Sequence, residues 1–167
     1  MLYSIISISK DSPYEVYELD ENTVVFFTEE DIEYIVGFVE DNMLEIENTY
    51  QIYLTKKHSD KVIGTDVNIG KTIAAIIKSF FRNKNNILTY ICDINDKHQA
   101  ARDRKFKIWF NRYAEINSFE LFPAEIQVDE CSYYIAVIVS KEYGDIGKVR
   151  DVFNSKVQEL KSKIGGI

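Results

Sequence analysis

The sequence predicts an α+β fold in which helices pack on a mixed, largely antiparallel sheet. Three observations predict it. Short runs rich in aromatic and β-branched residues fill the first half, apolar residues at helical spacing follow in the second half, and only 2 Pro and 7 Gly occur in 167 residues. The predicted order of elements is β-β-β-β-α-β-α-β-β-α. Because no linker-like stretch divides the chain, we expect residues 1–167 to form a single domain.

Four strands are predicted in the first half, where acidic turn signals separate the aromatic and β-branched runs. The strands cover residues 14–19, 23–28, 32–39 and 50–55. Their short spacing predicts a meander of antiparallel strands. The third segment keeps an alternative, because Thr28 with Asp31 could begin a helix that carries apolar residues at positions 32, 35, 36 and 39.

Helices and strands alternate in the second half. Asp66 can cap a helix whose apolar residues continue to Phe80, and the next strand covers residues 87–92. Asp96 with Gln99 resembles a capping box that opens a second helix. On that helix one stripe is formed by the aromatic residues at positions 106, 109, 110 and 113.

The last third of the chain predicts two strands and a helix. A strand over residues 119–122 is expected to end at Pro123, which cannot donate a backbone hydrogen bond. Residues 133–139 form a nearly unbroken apolar run, typical of a strand covered on both faces. A final helix over residues 146–164 is expected to end near Gly165.

The net charge of -7 is distributed unevenly. Residues 11–55 contain 13 Asp or Glu and no Lys or Arg, whereas residues 56–112 contain 13 Lys or Arg and 5 acidic residues. Two interpretations stay open: the two stretches neutralise each other within the fold, or they form separate faces that bind partners. Since the sequence pI of about 4.9 argues against a general nucleic-acid binder, we expect a protein or a small molecule as the partner.

The sequence has neither a membrane-spanning pattern nor a metal-ligand spacing. No apolar run approaches the roughly 18 residues that a membrane span needs, and the first residues do not have the pattern of a signal peptide. We therefore expect a cytoplasmic protein without membrane association. Two Cys and two His lie far apart without CxxC or HxxxH spacing, so neither a disulfide framework nor a metal site is predicted.

The run Thr65-Asp66-Val67-Asn68-Ile69-Gly70-Lys71 joins a predicted strand to a helix. With a second strand, a second helix and two more strands, residues 50–140 resemble the core of the GNAT superfamily of N-acetyltransferases. In that family the loop Q/R-x-x-G-x-G/A and the helix start bind the pyrophosphate of acyl-CoA through backbone N–H groups. The resemblance therefore implies an acyl-CoA site at the turn formed by Ile69, Gly70, Lys71 and Thr72.

This chain departs from the family pattern at several positions. Of the family loop only Gly70 is present, and Asp66 places a carboxylate where the pyrophosphate would lie. The family's second helix carries a tyrosine that protonates the departing thiolate. Lys105 stands at the corresponding position here, so no catalytic residue is carried over.

A polar group follows the predicted strand over residues 87–92. It consists of Asp93, Asp96, Gln99 and Arg102. Ligands commonly bind beyond the carboxyl ends of strands in open sheets, so these side chains are candidates for a ligand site. The alternative is structural, with Asp96 capping the helix and Arg102 pairing with Asp93.

Two function hypotheses follow. The first is a non-catalytic binding or regulatory module that uses the acidic strands or the basic helix as its contact face. The alternative is a divergent acyl-CoA-dependent N-acyltransferase with its phosphate site at the helix start near residue 69. If the resemblance holds, the strands over residues 50–55 and 87–92 are parallel neighbours that splay apart near their carboxyl ends.

Overall fold

The computed structural model describes residues 1–57, 66–92 and 99–165, apart from the side chains of Gln99 and Ile116. Its strands are β1 (Val16–Asp20), β2 (Thr23–Phe27), β3 (Glu33–Glu40), β4 (Thr49–Lys56), β5 (Ile87–Cys92), β6 (Phe119–Val128) and β7 (Cys131–Ser140). Its helices are α1 (Ile5–Asp11), α2 (Val67–Phe80), α3 (Gln99–Tyr113) and α4 (Ile146–Gly165), with a short 3-10 helix at Ile116–Ser118.

The seven strands form one sheet in the order β1-β2-β3-β4-β5-β7-β6. Strands β1, β2 and β3 are an antiparallel meander, and β7 pairs antiparallel with both β5 and β6. Strands β4 and β5 are parallel neighbours, with Thr49 opposite Ile87 and Gln51 opposite Thr89. The predicted α+β class and the parallel pairing of these two strands are therefore confirmed, whereas their splaying stays a prediction.

The ambiguous third segment is a strand. Tyr34 lies opposite Phe26, and Val36 lies opposite Val24. Tyr34, Val36 and Phe38 are all at most 5% exposed. This alternation of buried residues has period two, which a strand with one covered face requires and a helix does not produce.

Helix α1 is an element that the sequence analysis did not predict. Its isoleucines favour strands, and seven residues are too few for a helix to be stable alone. Tertiary contacts with α2 compensate for this weak preference, since Ser4 N donates to Ser79 Oγ at 2.8 Å and Ile8 is fully buried. The Ser4 hydroxyl also caps the helix by accepting from Ser7 N at 3.3 Å.

The predicted end of a strand at Pro123 is wrong. Strand β6 continues from Phe119 to Val128, and Pro123 lies opposite Ala136 in the middle of its pairing with β7. Because β6 is the last strand in the sheet order, one of its sides has no neighbouring strand in the described residues. A proline is tolerated there since the missing N–H need not face a partner strand.

The chain groups into two compact units. The first contains Met1–Val39, Ile52–Asn83 and Trp109–Ile116, and the second contains Glu40–Gln51, Lys84–Ile108 and Asn117–Ile167. The prediction of a single domain stays a prediction. None of the helices in the described residues is long and apolar enough to cross a bilayer.

Aromatic rings form much of the core of the first unit. The Phe38 ring of β3 stacks on Phe80 of α2, with 4.7 Å between the ring centroids. Tyr3 also packs on Phe38, and Phe26 of β2 stacks between Tyr14 and Tyr34. One face of the β1–β3 meander is therefore covered by α2 and the N-terminal segment.

The core of the second unit lies between α4 and one face of β5, β6 and β7. Val149 and Phe153 of α4 pack with Ile87, Val137 and Val139, and all five side chains are at most 1% exposed. The apolar run predicted as a doubly covered strand accordingly lies within β7, the central strand of the β5-β7-β6 group.

Candidate functional site

Asp66 occupies the start of α2, where the resemblance implies a phosphate. Its Oδ1 accepts a hydrogen bond from Asn68 N at 2.9 Å, and its Oδ2 accepts one from the Tyr14 hydroxyl at 2.6 Å. Burial and, after it, the hydrogen bond to Asp66 raise the pKa of Tyr14 to about 12. The chain therefore supplies its own carboxylate to the positive end of this helix.

The predicted cofactor turn is mostly buried. Ile69, Gly70 and Thr72 are buried, and the Thr72 hydroxyl donates back to Asn68 O at 2.8 Å. Lys71 is exposed, with Nζ 6.0 Å from the centroid of the Tyr113 ring. The assignment of these residues to acyl-CoA stays a prediction.

Gly70 has a packing role that its motif position did not predict. A Cβ at this residue would lie 2.4 Å from Cδ1 of the Trp109 indole, far inside normal contact distance. Helix α3 can therefore place its indole against α2 because residue 70 has no side chain. The feature of the sequence that could have indicated this contact is Trp109, which lies on the apolar stripe of the second predicted helix.

The predicted polar group after β5 falls largely outside the described residues. Asp93 and Asp96 lie in the part that is not described, and for Gln99 only the backbone is described, as the first residue of α3. Arg102 is exposed on α3. The choice between a ligand site and a helix cap thus stays open.

A neighbouring cluster joins the carboxyl end of β5 to α3. The Tyr90 ring stacks on Phe106 with 4.1 Å between centroids, and its hydroxyl shares a hydrogen bond with the Cys92 thiol. Asp103 precedes Phe106 by three residues and so lies on the same side of α3. Its side chain is 9% exposed.

Asp103 has one hydrogen-bond partner among the described residues. Its Oδ2 accepts a hydrogen bond from Lys107 Nζ at 2.8 Å, whereas Oδ1 has no hydrogen-bond partner among the described atoms. Burial, with a smaller contribution from Asp103, raises the pKa values of the Tyr90 hydroxyl and the Cys92 thiol. Burial therefore favours the protonated form of both groups.

The face of β1–β4 opposite the aromatic core carries several exposed large side chains, although Val25 on the same face is only 8% exposed. Register pairs Tyr17 with Val25 and Val25 with Ile35, so their side chains share this face. The Tyr53 ring lies across Gly37 on the same face, where a Cβ would be 2.1 Å from Cζ, and its hydroxyl shares a hydrogen bond with Thr23 Oγ1. We define the open face by Tyr17, Val25, Phe27, Ile35, Val39 and Tyr53.

Exposed carboxylates lie along one border of the open face. They lie on or directly before β1 and in the turns before and after β2, and we define this acidic rim as Glu15, Glu18, Asp20, Glu21, Glu29 and Asp31. Glu18 belongs to β1 but points to the opposite face of the sheet. The turn after β2 needs Asp31 in the left-handed region, with φ of 58°, a conformation that Asp tolerates better than most residues.

The described ion pairs test part of the charge interpretation. In the acidic stretch, carboxylates pair with lysines at Asp11–Lys78 (3.3 Å), Glu33–Lys57 (3.7 Å) and Glu45–Lys156 (3.9 Å). These pairs are at the surface and each stabilises the fold by at most about 1 kcal/mol. None of these three described pairs includes a carboxylate of the acidic rim.

Comparison with known proteins found no significant match among curated proteins or among solved structures. A family model does match, over residues 65–155. The matched stretch begins before α2, continues through β5, α3, β6 and β7, and ends within α4. It contains the Tyr90, Cys92 and Asp103 cluster, and it covers more than half of the chain. The chain therefore belongs to the Family of unknown function (DUF6169).

Proposed function

We propose that the chain is a non-catalytic binding module whose contact surface is the open face. The observation that supports this most directly is the contrast between the two faces of the same strands. Val24, Phe26 and Val36 on the covered face are fully buried. On the open face, Tyr17 is 47%, Phe27 44% and Val39 55% exposed. Apolar side chains grouped on an exposed surface and bordered by charges are typical of protein interaction sites.

The acidic rim indicates the chemistry of the partner. Six exposed carboxylates bordering an apolar surface attract a protein segment that carries Lys or Arg around apolar residues. Association of two copies through the open face would bring one acidic rim against another. Repulsion between the rims disfavours that arrangement, so the proposal commits to a basic protein partner.

A peptide probe tests the proposal. A synthetic peptide of alternating Lys and Val should bind the full chain, and a peptide with Glu in place of Lys should not. Binding should weaken as salt is raised. Phe27→Ser should reduce the affinity about tenfold, as expected for loss of an apolar contact at the centre of an interface. Fluorescence anisotropy of the labelled peptide gives both affinities.

A matched control uses Ile108→Ser on α3. Ile108 is 42% exposed, close to the 44% of Phe27, but it does not belong to the open face. This variant should bind the peptide as the unmodified chain does. Equal loss in both variants would overturn the open face as the contact surface, and so would a stable dimer that Phe27→Ser dissociates.

The acyltransferase alternative is favoured by one observation. A parallel β4–β5 pair that is connected through α2 and followed by α3 is the arrangement that the GNAT resemblance implies. Against it, the Asp66 carboxylate already interacts with the start of α2. Because this carboxylate opposes the binding of a phosphate there, we favour the non-catalytic proposal.

Thermal unfolding with CoA separates the two functions. A ligand at a hundredfold excess over its Kd stabilises the native state by about 2.7 kcal/mol, which is several degrees in Tm for a domain of this size. We expect no saturable shift with millimolar acetyl-CoA. Asp66→Asn keeps a capping oxygen and removes the charge. A saturable rise in Tm with acetyl-CoA that is larger in this variant than in the unmodified chain would instead support phosphate binding at the start of α2. Gly70 is a poor position for this test because any side chain there meets Trp109.

A further inference from the structure

We propose that the basic partner adds to the sheet as an extended strand along β1. This inference rests on the proposed function, since it concerns how the partner of the open face is held. Strand β1 is the first strand in the sheet order and pairs with β2 on one side. On the other side of an edge strand, every second backbone N–H and C=O is free to pair with another chain.

The two edge strands of the sheet differ in their protection against such pairing. Strand β6 carries Pro123 in its middle, and a proline on an edge strand limits pairing with a further strand. Strand β1 has the sequence Val-Tyr-Glu-Leu-Asp, with neither Pro nor Lys. Its protection consists of carboxylates, which repel acidic segments and attract basic ones.

The side chains of β1 suit a strand of alternating basic and apolar residues. Tyr17 lies opposite Val25 and points to the open face, whereas Glu18 lies opposite Val24 and points to the other face. A neighbouring strand would therefore place apolar residues beside Tyr17 and basic residues beside Glu18. Cross-strand pairs of this kind stabilise sheets, whereas two copies of β1 would bring carboxylates together.

The available length of β1 is limited at its carboxyl end. The pairing with β2 is irregular between Glu18 and Asp20, and the Tyr3 hydroxyl donates to the carbonyl of Asp20 at 2.6 Å. Within the part of the chain that the structure describes, the edge of β1 without a neighbouring strand thus runs from Val16 to Leu19. Because so few backbone hydrogen bonds can form, an added strand also needs side-chain contacts with the open face.

Backbone methylation of the peptide probe tests this inference. The alternating Lys and Val peptide is compared with the same sequence carrying N-methyl groups on every second residue, in both possible registers. Methylation keeps charge and side chains but removes backbone donors. We expect at least one methylated peptide to bind about tenfold more weakly than the parent. In the complex, amide hydrogen exchange should slow within β1.

Charge variants on the two edges provide the control. Glu18→Lys on β1 should weaken binding of the parent peptide, and Glu125→Lys on β6, also an exposed glutamate on an edge strand, should leave it unchanged. Equal binding of parent and methylated peptides, with Phe27→Ser still impaired, would overturn strand addition and leave the open-face proposal standing. Equal effects of both charge variants would also overturn it. Failure of the parent peptide to bind would overturn both proposals.

Discussion

Replacement of Phe80 by alanine should lower the free energy of unfolding by about 3–5 kcal/mol. Phe80 is fully buried, its ring stacks on Phe38 at 4.7 Å, and it meets Phe81 edge-on at 5.0 Å. Alanine removes these contacts and leaves a cavity between α2 and the meander. Because native domains are stable by only about 5–15 kcal/mol, the variant should unfold at markedly lower urea concentration.

Phe27→Ala is the matched control for this substitution. It removes the same atoms from the open face, where Phe27 is 44% exposed. We expect a loss below about 1 kcal/mol, as for other surface substitutions. Equal losses at Phe27 and Phe80 would contradict the assignment of the two faces of the meander, because both rings would then have to be buried.

Gly70→Ala should destabilise the chain by about 1–3 kcal/mol, the usual cost of inserting a methyl group into a packed contact. On an exposed helix the same change would stabilise by about 1 kcal/mol, because alanine favours the helix more than glycine. The difference in sign comes from Trp109, whose Cδ1 would lie 2.4 Å from the new Cβ. Urea unfolding of the two chains measures the effect.

A double-mutant cycle identifies the cause of the Gly70 effect. In a Trp109→Ala background the obstruction is removed, so Gly70→Ala should become neutral or stabilising. The coupling between the two positions should therefore exceed about 1 kcal/mol. Independent effects, or a stabilising Gly70→Ala in the unmodified chain, would exclude the contact between Gly70 and the indole.

Local composition in the sequence was sufficient to predict β2, and it favoured a strand for β3 while leaving a helix open. The register of β2 against β3, which buries Val24, Phe26 and Val36 together, decides for the strand. Helix α1 and the continuation of β6 through Pro123 depend instead on position in the sheet and on contacts with residues distant in sequence. A short stretch of neighbouring residues therefore does not predict either element.

The candidate surfaces were predicted only in part. The acidic stretch was visible as charge, but its carboxylates became a rim only once the register placed the apolar residues of the meander on the open face. Asp103 was not recognised, because a charged residue at helical spacing usually faces solvent. The burial of its carboxylate required the position of α3 over β5, which the sequence does not specify.

The unequal edges of the sheet also bear on the stoichiometry of the proposed complex. Growth of a fibre by edge pairing needs a receptive edge at each end of every subunit, so that each added chain offers a new one. Here Pro123 removes a donor from the middle of β6, while β1 is left to pair. A chain whose β1 edge is occupied by a partner strand has only the Pro123-bearing edge left among its described strands, so we expect one chain to one partner segment, without polymerisation of the chain at high concentration.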